Sequence, residues 1–298
     1  MRIFLTGATG FIGQVLARQA LARGDQVAGL CRAGGPFRGQ AEVPLGWTEL
    51  RGDLEQVPWA KVAEFAPDVC VHAAWITTPG VYMGAAENAF YQQWGLELAQ
   101  GLLRCGIRHL LVIGSCAEYQ MAGRPLTEDQ AALSQDSPYA RAKNGLHQTL
   151  RQTPEFAELR LGWGRLFYPY GPGELPLRLC SQMVRTVLRG EPVELRCPNS
   201  VKDYIFIDDV ARALLTLADG AFVGTINLGT GQPVRIRELA ATIAAALGRP
   251  ELVKCDAKPA LDPLDYAVAD PRKLQALGWQ PRVSLPEGIE CLIRHLTL

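Results

Sequence analysis

The sequence has little of what builds metal centres and no excess of charge of either sign. Its 298 residues include 4 His and 8 Cys. The cysteines stand apart, at Cys31, Cys70, Cys105, Cys116, Cys180, Cys197, Cys255 and Cys291, with no Cys-x-x-Cys pair. That scatter offers no tetrahedral ligand set, so no metal is expected. The thiols read as reduced residues of a cytoplasmic protein. Lys plus Arg and Asp plus Glu both number 30, a formal net charge of zero. A balanced chain argues against nucleic-acid or membrane partners, which need clustered positive charge, but it leaves room for a local basic patch facing a phosphate. No apolar run reaches the roughly 20 residues that span a bilayer. No signal peptide is read at the start, where Met1–Leu5 leads directly into a glycine-rich turn. Internal repeats and low-complexity tracts are also missing.

What the chain does have is alternation. Apolar residues make up 48% of it, enough to fill a large core. Short apolar runs predict strands at 2–6, 26–31, 47–51, 69–73, 110–114, 159–165 and 225–228. Helical spacing of apolar residues predicts helices at about 11–23, 85–105, 139–153, 175–189, 209–217 and 237–247. Strands and helices in this order imply an α/β fold, a doubly wound parallel sheet covered on both faces, with ligands at the carboxyl ends of the strands. Pro and Gly cluster after Arg165, in Tyr168-Pro169-Tyr170-Gly171-Pro172-Gly173, which places a lobe boundary there. The expected division is a first lobe of 1–165 plus about 203–228, and a smaller α/β lobe of about 166–202 plus 229–298.

Between the first strand and first helix stands Thr6-Gly7-Ala8-Thr9-Gly10-Phe11-Ile12-Gly13. Gly7 suits a tight turn, Gly10 lets the backbone approach a pyrophosphate, and Gly13 lets helix and strand pack closely. The helix amino terminus then presents N–H groups and a positive dipole end to the anion. Gly7, Thr9, Gly10, Phe11, Ile12 and Gly13 are therefore the expected cradle of a dinucleotide, in a Rossmann-type first lobe. Asp53 follows the third strand, where its carboxylate could accept from an adenine amino group or simply occupy a turn. The second strand ends in Cys31-Arg32 with no acid nearby. An acid there would bind the ribose 2′-hydroxyl of NAD, whereas Arg32 could pair with a 2′-phosphate. NADP(H) is thus favoured, with NAD(H) as the alternative.

Tyr139 and Lys143 lie four positions apart, just inside a helix that Ser137 would cap and Pro138 would open. The spacing puts phenol and ammonium on one face. An ammonium beside a phenol would lower the phenol's pKa, readying Tyr139 to exchange a proton with a hydroxyl or carbonyl while hydride moves to or from a nicotinamide. Lys143 could also hold the nicotinamide ribose. Ser115 ends the apolar strand Leu110–Gly114, where its hydroxyl could hydrogen-bond the reacting oxygen. Cys116 beside it reads first as a small buried residue.

These segments together resemble the extended short-chain dehydrogenase/reductases, the NAD-dependent epimerase/dehydratase family. The likeness runs through Thr6–Gly13, Gly52-Asp53-Leu54, His72-Ala73-Ala74, Gly114–Tyr119, Tyr139-x-x-x-Lys143, Arg165–Gly173, Lys202–Val210, Asn227–Gly231 and Leu277–Pro281. It implies catalysis by Ser115, Tyr139 and Lys143. It adds Leu54, Ala73 and Ala74 to Arg32 and Asp53 as cofactor contacts, and it implies a nucleoside-diphosphate sugar as substrate. Cys116-Ala117 stands where the family's dehydratases carry Asp-Glu, so dehydration lacks its acid and base. The cysteine and histidine of the double epimerases are not in place either. Tyr168, Tyr91 and Lys202 replace the family's usual Asn, Asn and Arg.

Two chemistries remain: one-way reduction of a 4-keto(-6-deoxy) sugar with NADPH, favoured by Arg32, and 4-epimerisation with retained NAD. A third possibility, a non-catalytic dinucleotide-sensing protein, runs against the intact Ser115, Tyr139 and Lys143. Candidate substrate contacts are Thr77, Tyr82, Cys116 and Tyr168, with Arg178, Arg196, Lys202 and Lys258 as cations for a diphosphate. The resemblance also implies a homodimer joined through a four-helix interface built from the helices at 85–105 and 139–153.

Overall fold

The computed structural model describes residues 1–32, 44–129, 131–255 and 260–297. Seven strands form one parallel sheet flanked by helices: β1 (Arg2–Thr6), β2 (Gln26–Cys31), β3 (Trp47–Arg51), β4 (Val69–His72), β5 (His109–Ser115), β6 (Arg160–Leu166) and β7 (Gly224–Leu228). Their order is β7-β6-β5-β4-β1-β2-β3. β1, β2, β4 and β5 are buried along almost their whole length because flanking helices take them out of water, whereas edge strand β3 exposes Thr48, Glu49 and Arg51. Ile3, Phe4 and Leu5 of β1 are fully buried. β1 pairs with β2 on one side and β4 on the other, with Thr6 opposite His72. The winding reverses at this junction, where a crevice opens at the carboxyl ends of parallel strands.

The helices are α1 (Phe11–Ala22), α2 (Trp59–Phe65), α3 (Asn88–Arg104), α4 (Pro138–Gln152), α5 (Leu179–Leu188), α6 (Ile207–Asp219), α7 (Ile236–Ala246), α8 (Arg272–Gln275) and α9 (Leu285–Thr297). α4 starts as its sequence dictates: Pro138 opens it, and the Ser137 hydroxyl accepts from the Ala140 amide at 3.1 Å. α3 starts at Asn88 rather than 85, because the buried Asn88 side chain donates to the Tyr82 and Ala85 carbonyls and holds the preceding residues in a turn. α5 starts at Leu179 rather than 175; the Glu174 carboxylate reaches forward to accept from the Ser181 amide at 2.5 Å.

The chain divides into two compact units. The first comprises 1–118, 133–165 and 211–226; the second comprises 119–132, 166–210 and 227–298. This moves the sequence-based return point from about 203 to 211. The reason is local pairing: Val201–Lys202 pairs with Val234–Arg235 and Tyr266–Ala267, and Tyr204–Phe206 pairs with Tyr168–Tyr170. Residues 119–132 also join the second unit, where the Tyr119 hydroxyl donates to Asn227 Oδ1 and Leu126 bridges Ala269.

Candidate active site

The site assembles in the first unit, on the carboxyl ends of β1, β4 and β5. The turn after β1 needs Gly7 in the left-handed region, at φ +70°, and a Cβ there would sit 2.8 Å from the Ala73 carbonyl carbon and the Ala74 nitrogen. The Thr6 hydroxyl and His72 Nδ1 hydrogen-bond at 2.8 Å, and the Ala74 amide donates to Thr6 Oγ1 at 3.3 Å. These contacts stitch the glycine turn to Ala73 and Ala74. α1 opens at Gly10 with no side-chain cap and no acid in its first turn. Its amino-terminal N–H groups and dipole therefore suit an anion, and the donor set fits a dinucleotide pyrophosphate. Gly7, Thr9, Gly10, Phe11, Ile12 and Gly13 are the residues that would hold it. Arg32 is exposed at the end of β2. Asp53 is half-buried, and its Oδ1 accepts from the Glu55 and Gln56 amides at 3.0 and 2.9 Å, a turn-forming role. Leu54 follows it, half-buried.

Ser115 ends β5, and its hydroxyl accepts from the Ala117 amide at 3.2 Å. Tyr139, one residue into α4, is hydrogen-bonded to Ser115 and buried at 6% exposure. Tyr82 meets its ring edge-on at a centroid distance of 4.9 Å, and Trp75 does so at 6.3 Å. Lys143, one turn further along α4, donates through Nζ to the Ile113 carbonyl at 2.6 Å and lies 3.8 Å from the Trp75 ring centroid. The three residues are thus brought together as their spacing predicts.

Their proton affinities differ from the sequence-based expectation. Burial raises the Tyr139 phenol, and the nearby Tyr82 adds to the rise; the Ser115 hydrogen bond only partly opposes it. Lys143 does not set that balance, because its Nζ is 5.9 Å from the phenol ring centroid and turned to Ile113. Burial pulls Lys143 down to about 7, against the opposing pull of Glu118. His72, behind Lys143, is pushed down to about 3 by burial and then by the Lys143 charge, so it stays neutral. The site therefore presents a protonated phenol at neutral pH beside an amine poised to titrate.

Several members of this arrangement escaped sequence reasoning. Trp75, which caps Lys143, is fixed by its Nε1 donating to Asn88 Oδ1 at 2.8 Å. Glu118 is fully buried behind Ser115. The only sequence signals were a Trp directly after His72-Ala73-Ala74 and an acid three places past Ser115.

The remaining candidates are dispersed. In the first unit Thr77 is exposed, Tyr82 packs on Tyr139, and Cys116 is buried. In the second unit Tyr168 is half-buried, Arg178 immediately precedes α5, and Arg196 is exposed. Lys202 is committed within its own unit: its Nζ pairs with Asp262 Oδ2 at 2.7 Å and donates to the Leu264 carbonyl. Lys258 lies outside the described residues. Among the described residues no cluster of His, Cys, Asp and Glu could hold a metal.

Comparison with known proteins agrees with this geometry. Residues 3–229 match the NAD dependent epimerase/dehydratase family. The UDP-glucose 4-epimerase of Mycolicibacterium smegmatis is 29% identical, with 97% of this chain and 96% of that protein aligned. A Streptomyces dTDP-4-dehydro-6-deoxy-D-allose reductase is 27% identical over 85% of this chain and 83% of its own. Among solved structures, MoeE5 in complex with UDP-glucose and NAD superimposes with a TM-score of 0.82 at 27% identity, covering 100% of this chain and 99% of that one. The Thermus thermophilus UDP-glucose 4-epimerase complex with NAD gives 0.82 at 26% identity with the same coverage. The chain belongs to the NAD-dependent epimerase/dehydratase family and is an enzyme of the extended short-chain dehydrogenase/reductase kind.

Proposed function

We propose that this enzyme reduces the 4-keto group of a nucleoside-diphosphate-linked, 6-deoxy sugar, using NADPH. The observation that carries the direction is the end of β2, where exposed Arg32 stands and residues 26–32 include no acid. An arginine there suits a 2′-phosphate, and a cofactor consumed at each turnover suits a one-way reductase. When bound, the dinucleotide would supply hydride. The chain's own residues do the rest. The Ser115 hydroxyl orients the ketone oxygen, and the protonated Tyr139 phenol gives it a proton. Lys143 would hold the cofactor ribose, and Tyr82 and Trp75 would keep water from the phenol. Within the first unit, Thr77, Tyr82 and Cys116 are the sugar contacts of this reading.

A second reading, NAD-dependent 4-epimerisation, is favoured by the UDP-glucose 4-epimerase relative and by the NAD named in the two solved complexes. Purified protein given NADPH and dTDP-4-keto-6-deoxyglucose separates the two. Stoichiometric loss of absorbance at 340 nm supports reduction. Interconversion of UDP-glucose and UDP-galactose with NAD and no net absorbance change supports epimerisation.

Within this reading the enzyme is a cytoplasmic homodimer. α3 and α4 pack closely enough that a Cβ on Gly95 would press on Leu146, and in this reading the pair would form one half of a four-helix interface. No helix among the described residues is long and apolar enough to cross a membrane.

A further inference from the structure

We propose that Glu118 is a positioning residue of the Ser115–Tyr139–Lys143 site, its carboxylate anchoring the main chain of Ser115 against Trp163 and Arg165. This rests on the functional reading in which Ser115 and Tyr139 meet the reacting oxygen.

Glu118 is 0% exposed, with one carboxylate oxygen facing the end of β5 and the other facing β6. Oε1 accepts from the Ser115 amide at 2.8 Å. Oε2 accepts from Trp163 Nε1 at 2.9 Å and from Arg165 Nε at 2.7 Å, both on β6. The Arg165–Glu118 ion pair is buried on both sides, with side-chain exposures of 3% and 0%. Gly114 makes room for it, since a Cβ there would collide with the Trp163 indole and sit 2.5 Å from Glu118 Oε1. The Glu118 carbonyl accepts from the Ser134 amide at 2.7 Å and from Asn144 Nδ2 at 3.0 Å, and Asn144 follows Lys143 on α4. One residue thus ties β5, β6 and α4 together behind the proposed reacting groups.

A buried ion pair is a costly way to hold two strands together, since apolar side chains of similar volume do it as well or better. What apolar side chains cannot do is bond the Ser115 amide or place a negative charge behind the site. That charge favours the protonated forms of both Lys143 and Tyr139. The other titratable groups facing these two are His72 from β4, Tyr82 from the segment before α3, Cys116 beside Ser115, and Arg165, which neutralises Glu118 from β6.

The test is Glu118→Met, which removes both the charge and the acceptor for the Ser115 amide, alongside Glu118→Met/Arg165→Met, which removes both charges should the single variant fold poorly. Two readouts are taken: exchange of the Ser115 amide by NMR, and NADPH-dependent reduction of dTDP-4-keto-6-deoxyglucose across pH. In both variants the Ser115 amide should exchange at least about 10-fold faster than in wild type. kcat should fall by about 10²-fold, the loss expected for a reacting group displaced by an ångström, while KM and NADPH affinity stay within about 3-fold. In Glu118→Met the pH limbs should move to lower pH. Unchanged Ser115 exchange, or a loss of rate that only tracks the folded fraction with the pH profile in place, would overturn the proposal. A wild type that turns over no probe would count against the functional reading alone; the Ser115 amide would still decide the role of Glu118.

Discussion

Lys143 and Lys202 are equally buried, at 3% exposure each, yet their surroundings use them in opposite ways. Lys143, in the first unit, meets a main-chain carbonyl and the face of Trp75, while the nearby Glu118 is already bonded to Arg165. Lys202, in the second unit, meets Asp262 directly, with the Tyr168 ring 5.2 Å away. Burial alone would raise Asp262, but its hydrogen bond from Lys202 holds the carboxyl below the ordinary range. The first lysine keeps a titratable charge at small energetic distance from its neutral form, whereas the second gives its charge to a structural pair. A lysine without a carboxylate partner in a buried, ring-lined site is the one to expect in chemistry.

Replacing each lysine by methionine should break the comparison most visibly. Lys143→Met should lower kcat by about 10²-fold, the loss expected when a bound reactant is misplaced by an ångström. It should also raise thermal stability in acid. The sign follows from linkage: the folded-state pKa of about 7 lies below the unfolded value, so between these pH values the unfolded chain binds the extra proton. Wild-type stability therefore rises with pH across that window, and the methionine's advantage should be largest below pH 7 and vanish towards pH 10.5. Lys202→Met should instead cost about 3 kcal/mol of stability by stranding Asp262, with Asp262→Asn restoring much of it in the double variant. Urea unfolding measures both. An increase in KM for the nucleotide sugar with no loss of stability would instead make Lys202 a substrate contact.

Trp75→Ala sharpens the comparison further. Removing the ring from Lys143 should lower kcat about 10-fold, the rate equivalent of a ~1.4 kcal/mol cation–π contact, and Trp75→Phe should keep most of the rate. The smallest effect is expected at Glu174, far along the chain from either lysine. Burial raises this carboxyl to about 7 despite its hydrogen bonds from Ser181 and Gly171. A raised carboxyl means the folded state keeps a proton that the unfolded chain loses, so stability falls as pH rises from 4.5 to about 7. Glu174→Gln, which retains an acceptor for the Ser181 amide, should melt about 2 °C above wild type at pH 8 and level with it at pH 4.

The sheet and the centre of the site were legible because each is written locally. Most strands of the sheet are short apolar runs, and Ser137-Pro138 marks the helix that carries Tyr139 and Lys143. α9 was not predicted, since Pro286 and Gly288 look like breakers. Its signal was Ser284 three places before Glu287: the Ser284 amide and hydroxyl both bond Glu287 Oε2, at 2.9 and 2.6 Å. α2, at 7 residues, is too short for its periodicity to stand out. The direction in which Lys143 points, and the meeting of Glu118 with Trp163 and Arg165, depend on which strands become neighbours. Residues 118 and 165 are far apart in sequence and adjacent only because β5 lies next to β6. The unit boundary at 203 misled for the same reason: Val201–Phe206 look like a return to the large sheet but pair within the second unit.

The central claim is that hydride reaches a sugar carbon beside a phenol that supplies the proton. The most direct measurement is transfer from NADPH deuterated at the nicotinamide C4 to dTDP-4-keto-6-deoxyglucose, followed by proton NMR of the product. The account predicts that the H4 resonance is lost, with deuterium at the sugar C4, and that Tyr139→Phe transfers about 10³-fold more slowly. Product that keeps a full H4 signal, or Tyr139→Phe that matches the wild-type rate, would contradict it.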